Sequence, residues 1–218
     1  MSRESNVINF YVICNRLKYL IRSGWKQWSV QGDRLESVAE HVYSTQMLAL
    51  GMYSEYKYDI DIRKVILMLA IHELEETIIG DLVFFEITED EKKKIGHEAI
   101  SKTLSPLASG EKIKELIYEF DEKVTPESQF AFFCDKLECD LQCKLYDLED
   151  RVDVHTAGSA AKKRNPDVQR MVDEGYSWSD MWMGFSKGRY GYDKNFLKVS
   201  KKAGSLTKED LLSLLEKL

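Results

Sequence analysis

Val65-Ile66-Leu67-Met68-Leu69-Ala70-Ile71-His72-Glu73-Leu74-Glu75-Glu76-Thr77-Ile78-Ile79-Gly80-Asp81 is an apolar run that ends in charge. Seven apolar residues lead directly into a histidine and a set of carboxylates. The run is apolar nearly all round, which predicts a buried central helix over about 61–79, with Gly80 as its stop. It is far short of the roughly 18 residues that suggest a membrane span. An ionisable pair such as His72-Glu73 at the end of a buried helix is costly unless partners or a metal satisfy it. Glu76 shares a helix face with both residues of the pair. Asp81, just past the glycine, can point back over the helix end.

Helical signals continue on both sides. A first helix is expected over roughly 5–22, with Val7, Phe10, Cys14, Leu17 and Ile21 on one face. A polar and aromatic loop, Ser23 to Glu36, follows it. Ser37 and Glu40 form a capping box that opens a helix running to about Tyr56. Beyond Asp81, helices are expected over about 88–104, 110–121 and from Thr125-Pro126 to Asp150. Asn165-Pro166 starts another, and Gly204-Ser205 precedes a last one from Lys208 to Leu218. Strand alternation appears nowhere over a useful length, and with 12 Gly and 3 Pro in 218 residues the class is all-α.

With 44% hydrophobic and 31% charged residues, the chain can bury a sizeable core. Its 31 Lys+Arg against 37 Asp+Glu give a net charge of −6, which argues against nucleic acid and anionic membranes as partners. The N-terminal stretch lacks a basic region and a small-residue cleavage site, so no signal peptide is expected. Cys134, Cys139 and Cys143 crowd into ten residues without zinc-knuckle spacing. They read, with Cys14, as thiols in a reducing cytoplasm.

Four histidines are few enough to take singly. His41 lies early in its helix, His72 ends the buried run, and Asp135 follows the apolar stretch Phe130-Ala131-Phe132-Phe133-Cys134. His41, His72, Glu73 and Asp135 make a mixed N/O donor set. Such a set suits Mn, Co, Fe or Mg with open water positions better than a closed zinc site. His97, among lysines, and His155, beyond the long helix, are not expected to be ligands. Lys162-Lys163-Arg164 reads as a solvated turn. Trp178, Trp182 and Phe185, at i, i+4 and i+7, read as a stripe closing the core or a dimer face.

Arg22-Ser23-Gly24-Trp25, Glu36-Ser37-Val38-Ala39-Glu40-His41, the His72–Asp81 segment and Asp135-Lys136 are similar, in order and spacing, to the HD-domain metal-dependent phosphohydrolases. The chain most resembles their 5′-deoxynucleotidase branch. The resemblance covers roughly 5–150 and continues more weakly to about 200. It implies an HD-domain helical bundle over 1–155, with a C-terminal helical extension over 156–218 packing on the same domain. It also implies a divalent metal on His41, His72, Glu73 and Asp135. Glu76 and Asp81 would act on water and leaving group, and Arg22 and Trp25 would hold a nucleotide. A cytoplasmic homodimer hydrolysing a (deoxy)nucleoside 5′-monophosphate is the expectation.

One departure matters. The family takes its name from a His-Asp pair, and this chain has His-Glu at 72–73. The extra methylene moves the carboxylate by about 1.5 Å, whereas metal–ligand distances hold to about 0.2 Å. The alternative is therefore a non-catalytic metal- or nucleotide-binding protein of the same fold. A di-iron oxygenase of this fold would need further histidines, and only His97 and His155 remain.

Overall fold

The computed structural model describes residues 2–82 and 87–217. Among them every regular element is a helix, and pairing of extended backbone is confined to the isolated antiparallel bridge between Ile21 and Ser37. Contacts divide the chain into two units, Met1–Gly24 with Glu36–Cys134, and Trp25–Leu35 with Asp135–Leu218.

The first unit begins with α1, Arg3–Cys14, which passes into a 3₁₀ turn, Asn15–Lys18. The single helix expected over 5–22 thus ends early. Phe10 and Cys14 turn inward, while Val7 stays outside. The bridge at Ile21 then leads to a short α2, Ser23–Gln27, within the stretch read as loop. Helix α3, Val38–Glu55, carries the expected capping box: Ser37 Oγ accepts from the Glu40 amide, and Glu40 Oε2 accepts from the Ser37 amide at 2.8 Å. Its buried stripe is Val38, His41, Thr45, Ala49 and Met52.

Helix α3 packs on α4, Ile62–Ile71, which starts at an Asp61 cap. The expected helix over 61–79 is broken. Residues 72–75 form a turn, and a one-turn helix α5, Glu76–Ile79, follows. Bonds of the i→i−3 type carry this segment: Leu74 N to Ile71 O, Glu76 N to Glu73 O and Thr77 N to Leu74 O. His72 Nδ1 lies 2.8 Å from Leu69 O, the carbonyl that regular winding would offer to the Glu73 amide. Such a tightened stretch re-aims side chains, and here it re-aims the His-Glu pair. Gly80 ends α5 at φ +78°, a backbone region that favours glycine.

Helices α6, Glu89–Leu104, and α7, Gly110–Glu122, match their expected spans closely. They pack on each other, α5 meets α6 and α4 meets α7, around Leu74, Ile100, Leu104 and Ile117. The longest helix, α8, Pro126–Leu148, opens at the Thr125 cap and runs unbroken from the first unit into the second.

In the second unit come α9, Ser159–Arg164, α10, Pro166–Asp173, α11, Trp178–Tyr190, α12, Lys194–Gly204, and α13, Lys208–Leu215. Asn165 caps α10 and Pro166 occupies its first turn, as read from the sequence. The unit's core holds Trp25, Val30, Cys143, Tyr146, Val172, Trp178 and Met181. Trp178 is core, as one half of the expected stripe, but Phe185 is 49% exposed.

Candidate metal centre

His41 enters the site because the buried stripe of α3 demands it. It sits one turn after Val38, and its side chain is fully enclosed. His72 caps the C-terminal end of α4. Its Nδ1 lies 2.8 Å from the Leu69 carbonyl, which fixes tautomer and ring orientation and makes Nε2 the nitrogen that could serve a metal. Glu73 Oε1 stands 3.7 Å from His41 Nε2 and 3.6 Å from His72 Nε2. Asp135, buried, follows Cys134 in the unbroken α8, and the helix itself carries its carboxylate to this place.

The four residues each offer one donor atom, and these atoms all lie within 4.8 Å of one another. Donors on a common ion at about 2.1 Å stand about 3.0 Å apart when adjacent and about 4.2 Å when opposite. Two imidazole nitrogens and two carboxylates at such separations fit a divalent ion. The longer Glu73 side chain keeps a carboxylate oxygen within 4.8 Å of a donor atom on each of the other three residues.

Around the donors the charge is dense. Arg22 Nη1 lies 3.8 Å from Glu73 Oε1 and its Nε 3.9 Å from Glu36 Oε2. The Arg22 amide also donates to the Glu36 carbonyl, so the Ile21–Ser37 bridge holds this arginine over the site. Glu76 is buried, and burial, with Glu73 and Asp81 nearby, pushes its carboxyl well above the usual range. Lys92 opposes that shift and donates to Glu76 Oε1 at 3.1 Å. Burial alone would lower the Lys92 ammonium, but Glu73, Glu76, Glu75 and Asp81 outweigh it and hold it charged. Asp81 accepts from the Ser23 amide through Oδ2 at 2.6 Å and from Ser23 Oγ through its carbonyl. It therefore ties the start of α2 to the end of α5.

Two residues depart from their expected places. Trp25 is only 1% exposed, with Tyr146, Trp178 and Trp182 rings 5.3–6.1 Å away. A ring so enclosed is a core residue and presents no face to a base. Lys92, in contrast, was missed as a site residue among its neighbours Lys93 and Lys94. Its signal lay in register: Gly96, Ala99, Ile100, Thr103 and Leu104 are the buried positions among the described side chains of α6, and Lys92 extends that stripe by one turn. His97 pairs with Asp121 at 2.7 Å and stacks on Tyr118, and His155 is exposed, so neither joins the donor set. Lys162, from the basic turn, donates to the Val154 carbonyl.

The HD domain family matches residues 14–174. The chain is 32% identical over 151 residues to the 5′-deoxynucleotidase HDDC2 of Dictyostelium discoideum, covering 66% of this chain and 78% of that one. It is 28% identical over 144 residues to the 5′-deoxynucleotidase hdd1 of Schizosaccharomyces pombe, 63% of this chain and 70% of that one. In fold it resembles the PH0347 protein of Pyrococcus horikoshii, with a TM-score of 0.64, 24% identity, and 90% and 98% of the two chains covered.

Proposed function

The chain belongs to the HD domain family, and from that premise we propose that it is a metal-dependent phosphohydrolase that releases phosphate from a (deoxy)nucleoside 5′-monophosphate. The observation that carries the reading is the four-donor set His41, His72, Glu73 and Asp135, with Glu76 buried beside it. The names of its relatives support a nucleotide substrate.

A divalent ion on those four residues, Mn, Co, Fe or Mg by its N/O donors, supplies Lewis acidity and charge neutralisation at the phosphoryl oxygens. The protein's own groups do the rest. Arg22 presents a planar fork matched to a phosphate. Glu76 takes a proton from the attacking water as its oxygen bonds to phosphorus, with Lys92 orienting the carboxylate. Asp81 gives a proton to the sugar O5′ as the phosphorus–oxygen bond breaks. The products are inorganic phosphate and a nucleoside.

Two finer readings accompany this one. Four thiols without a disulfide support a reducing, cytoplasmic setting, and no described helix is long and apolar enough to cross a membrane. A homodimer is supported by α1, which buries none of its residues yet carries four exposed apolar side chains.

The test is phosphate release from nucleoside 5′-monophosphates by metal-stripped and reloaded protein. Mn or Co is expected to restore turnover more readily than Zn. Glu76→Gln should retain the ion while turnover falls by roughly 10²–10⁴-fold. Full activity in a verified metal-free sample, or normal turnover by Glu76→Gln, overturns the assignment.

A further inference from the structure

With Trp25 enclosed, the hydrolase reading leaves the nucleoside end of its substrate without a surface. A cavity of about 310 Å³ lies against the site, lined by Arg16, Tyr19, Leu20, Glu76, Thr77 and Gly80. All six residues belong to the first unit. One wall is α5 itself, so the cavity opens beside the carboxylate assigned to the attacking water. The other wall is the 3₁₀ turn and the residues after it, three positions before Arg22. Its volume is at the lower end of the roughly 300–1,000 Å³ typical of small-molecule sites.

Two side chains on that wall are left unexplained by the core. Tyr19 is 80% exposed, the highest value among the exposed large apolar residues, and Arg16 is also exposed. The Tyr19 amide donates to the Arg16 carbonyl at 3.0 Å, which makes them positions i and i+3 of a 3₁₀ turn. In that winding such side chains eclipse, so a planar guanidinium and an aromatic ring share one edge of the cavity. Flat, weakly hydrated groups of this kind favour the π-face of a base. Leu20 and Thr77 add apolar contact for a sugar.

We propose that the Arg16–Tyr19 edge of this cavity is the nucleobase subsite, with Tyr19 as its stacking surface. The proposal rests on the phosphohydrolase reading for its substrate class. It assigns to Tyr19 the role that the sequence suggested for Trp25.

The experiment compares wild type, Tyr19→Ala and Tyr19→Phe, each loaded with Mn, on 2′-deoxyadenosine 5′-monophosphate and on 2-deoxyribose 5-phosphate, the same ester without a base. Free 2′-deoxyadenosine is titrated into the same three proteins by calorimetry. Tyr19→Ala should raise KM for the nucleotide roughly tenfold, the size of one lost base–aromatic stack, with kcat nearly unchanged. KM for the sugar phosphate should move less than about twofold, since that ester lacks the stacked group. Tyr19→Phe should restore the wild-type preference, and nucleoside binding should follow the same order. Because Tyr19 is exposed, the variants are expected to fold, which circular dichroism checks. Equal losses on both esters, or no loss on either, overturn the proposal. If wild type releases phosphate from neither ester, the hydrolase reading fails, and calorimetry decides the subsite. Nucleoside binding weakened in Tyr19→Ala supports it, and binding unchanged in that variant or absent from wild type overturns it.

Discussion

At the scale of single residues, Glu73 decides whether the site has adapted to its own sequence. The turn at 72–75 and the His72–Leu69 contact aim the glutamate so that Oε1 lies almost equally far from the two imidazole nitrogens. A shorter aspartate in the same backbone would fall back from that centre. Glu73→Asp should therefore weaken metal binding by roughly 10–100-fold, the usual range for disturbing a ligand's geometry. Calorimetric titration with Mn on both proteins measures it. A gain of roughly tenfold in both affinity and phosphate release would instead mark a decayed site that aspartate repairs. The cluster of His41, His72, Glu73 and Asp135 joins residues that type and placement single out in the sequence, with the family resemblance naming them as a set. Trp25 was not legible as core. What encloses it comes from Tyr146, Trp178 and Trp182, more than a hundred positions away, and local spacing carries no trace of them.

Among the elements, capping chemistry was the most legible feature. The side-chain bonds at Ser37 and Asn165, both read from the sequence, involve only three or four consecutive residues, whereas those at Thr88 and Thr207 are of the same local kind but were not read. The break between α4 and α5 was illegible because i, i+3 and i+4 neighbours look alike in an α-helix and in a tight turn. Helix α1 shows a further limit. Of its expected inner face, Phe10 and Cys14 turn inward but Val7 does not, and Val7, Ile8, Tyr11 and Val12 are 58–64% exposed. On the homodimer proposed above, this is the surface that a second copy would cover. Ile8→Lys with Val12→Lys should leave the fold intact, since exposed substitutions usually shift stability by no more than about 0.5 kcal/mol. In sedimentation the variant should behave as one 25.3 kDa chain and the wild type as twice that mass. Equal masses for the two proteins would remove α1 from any interface.

For the molecule as a whole, stability should carry the imprint of a buried carboxyl that is not one of the four candidate donors. Asp140 is fully enclosed on α8, where Tyr192 donates to its Oδ2 at 3.1 Å. Burial raises its carboxyl from an ordinary 3.8 to about 7, against the smaller opposing pull of Ser186, Tyr192, Lys187 and Trp182. Below about pH 4 the folded and unfolded chains both hold this proton, and the group adds no pH dependence. Between about pH 4 and 7 the unfolded chain has released it while the folded chain keeps it. The stabilisation present at low pH is therefore lost as pH rises through the folded value, by up to about 1.4 kcal/mol per pH unit. Asp140→Asn keeps an acceptor for Tyr192 and cannot ionise. Its stability relative to wild type should climb across that window and level off above about pH 7. Urea unfolding of both proteins from pH 4 to 8 measures the difference. A difference that stays flat over that range would mean that Asp140 is already ionised in the folded protein, with Lys187 and the Tyr192 hydroxyl sufficient to hold its charge.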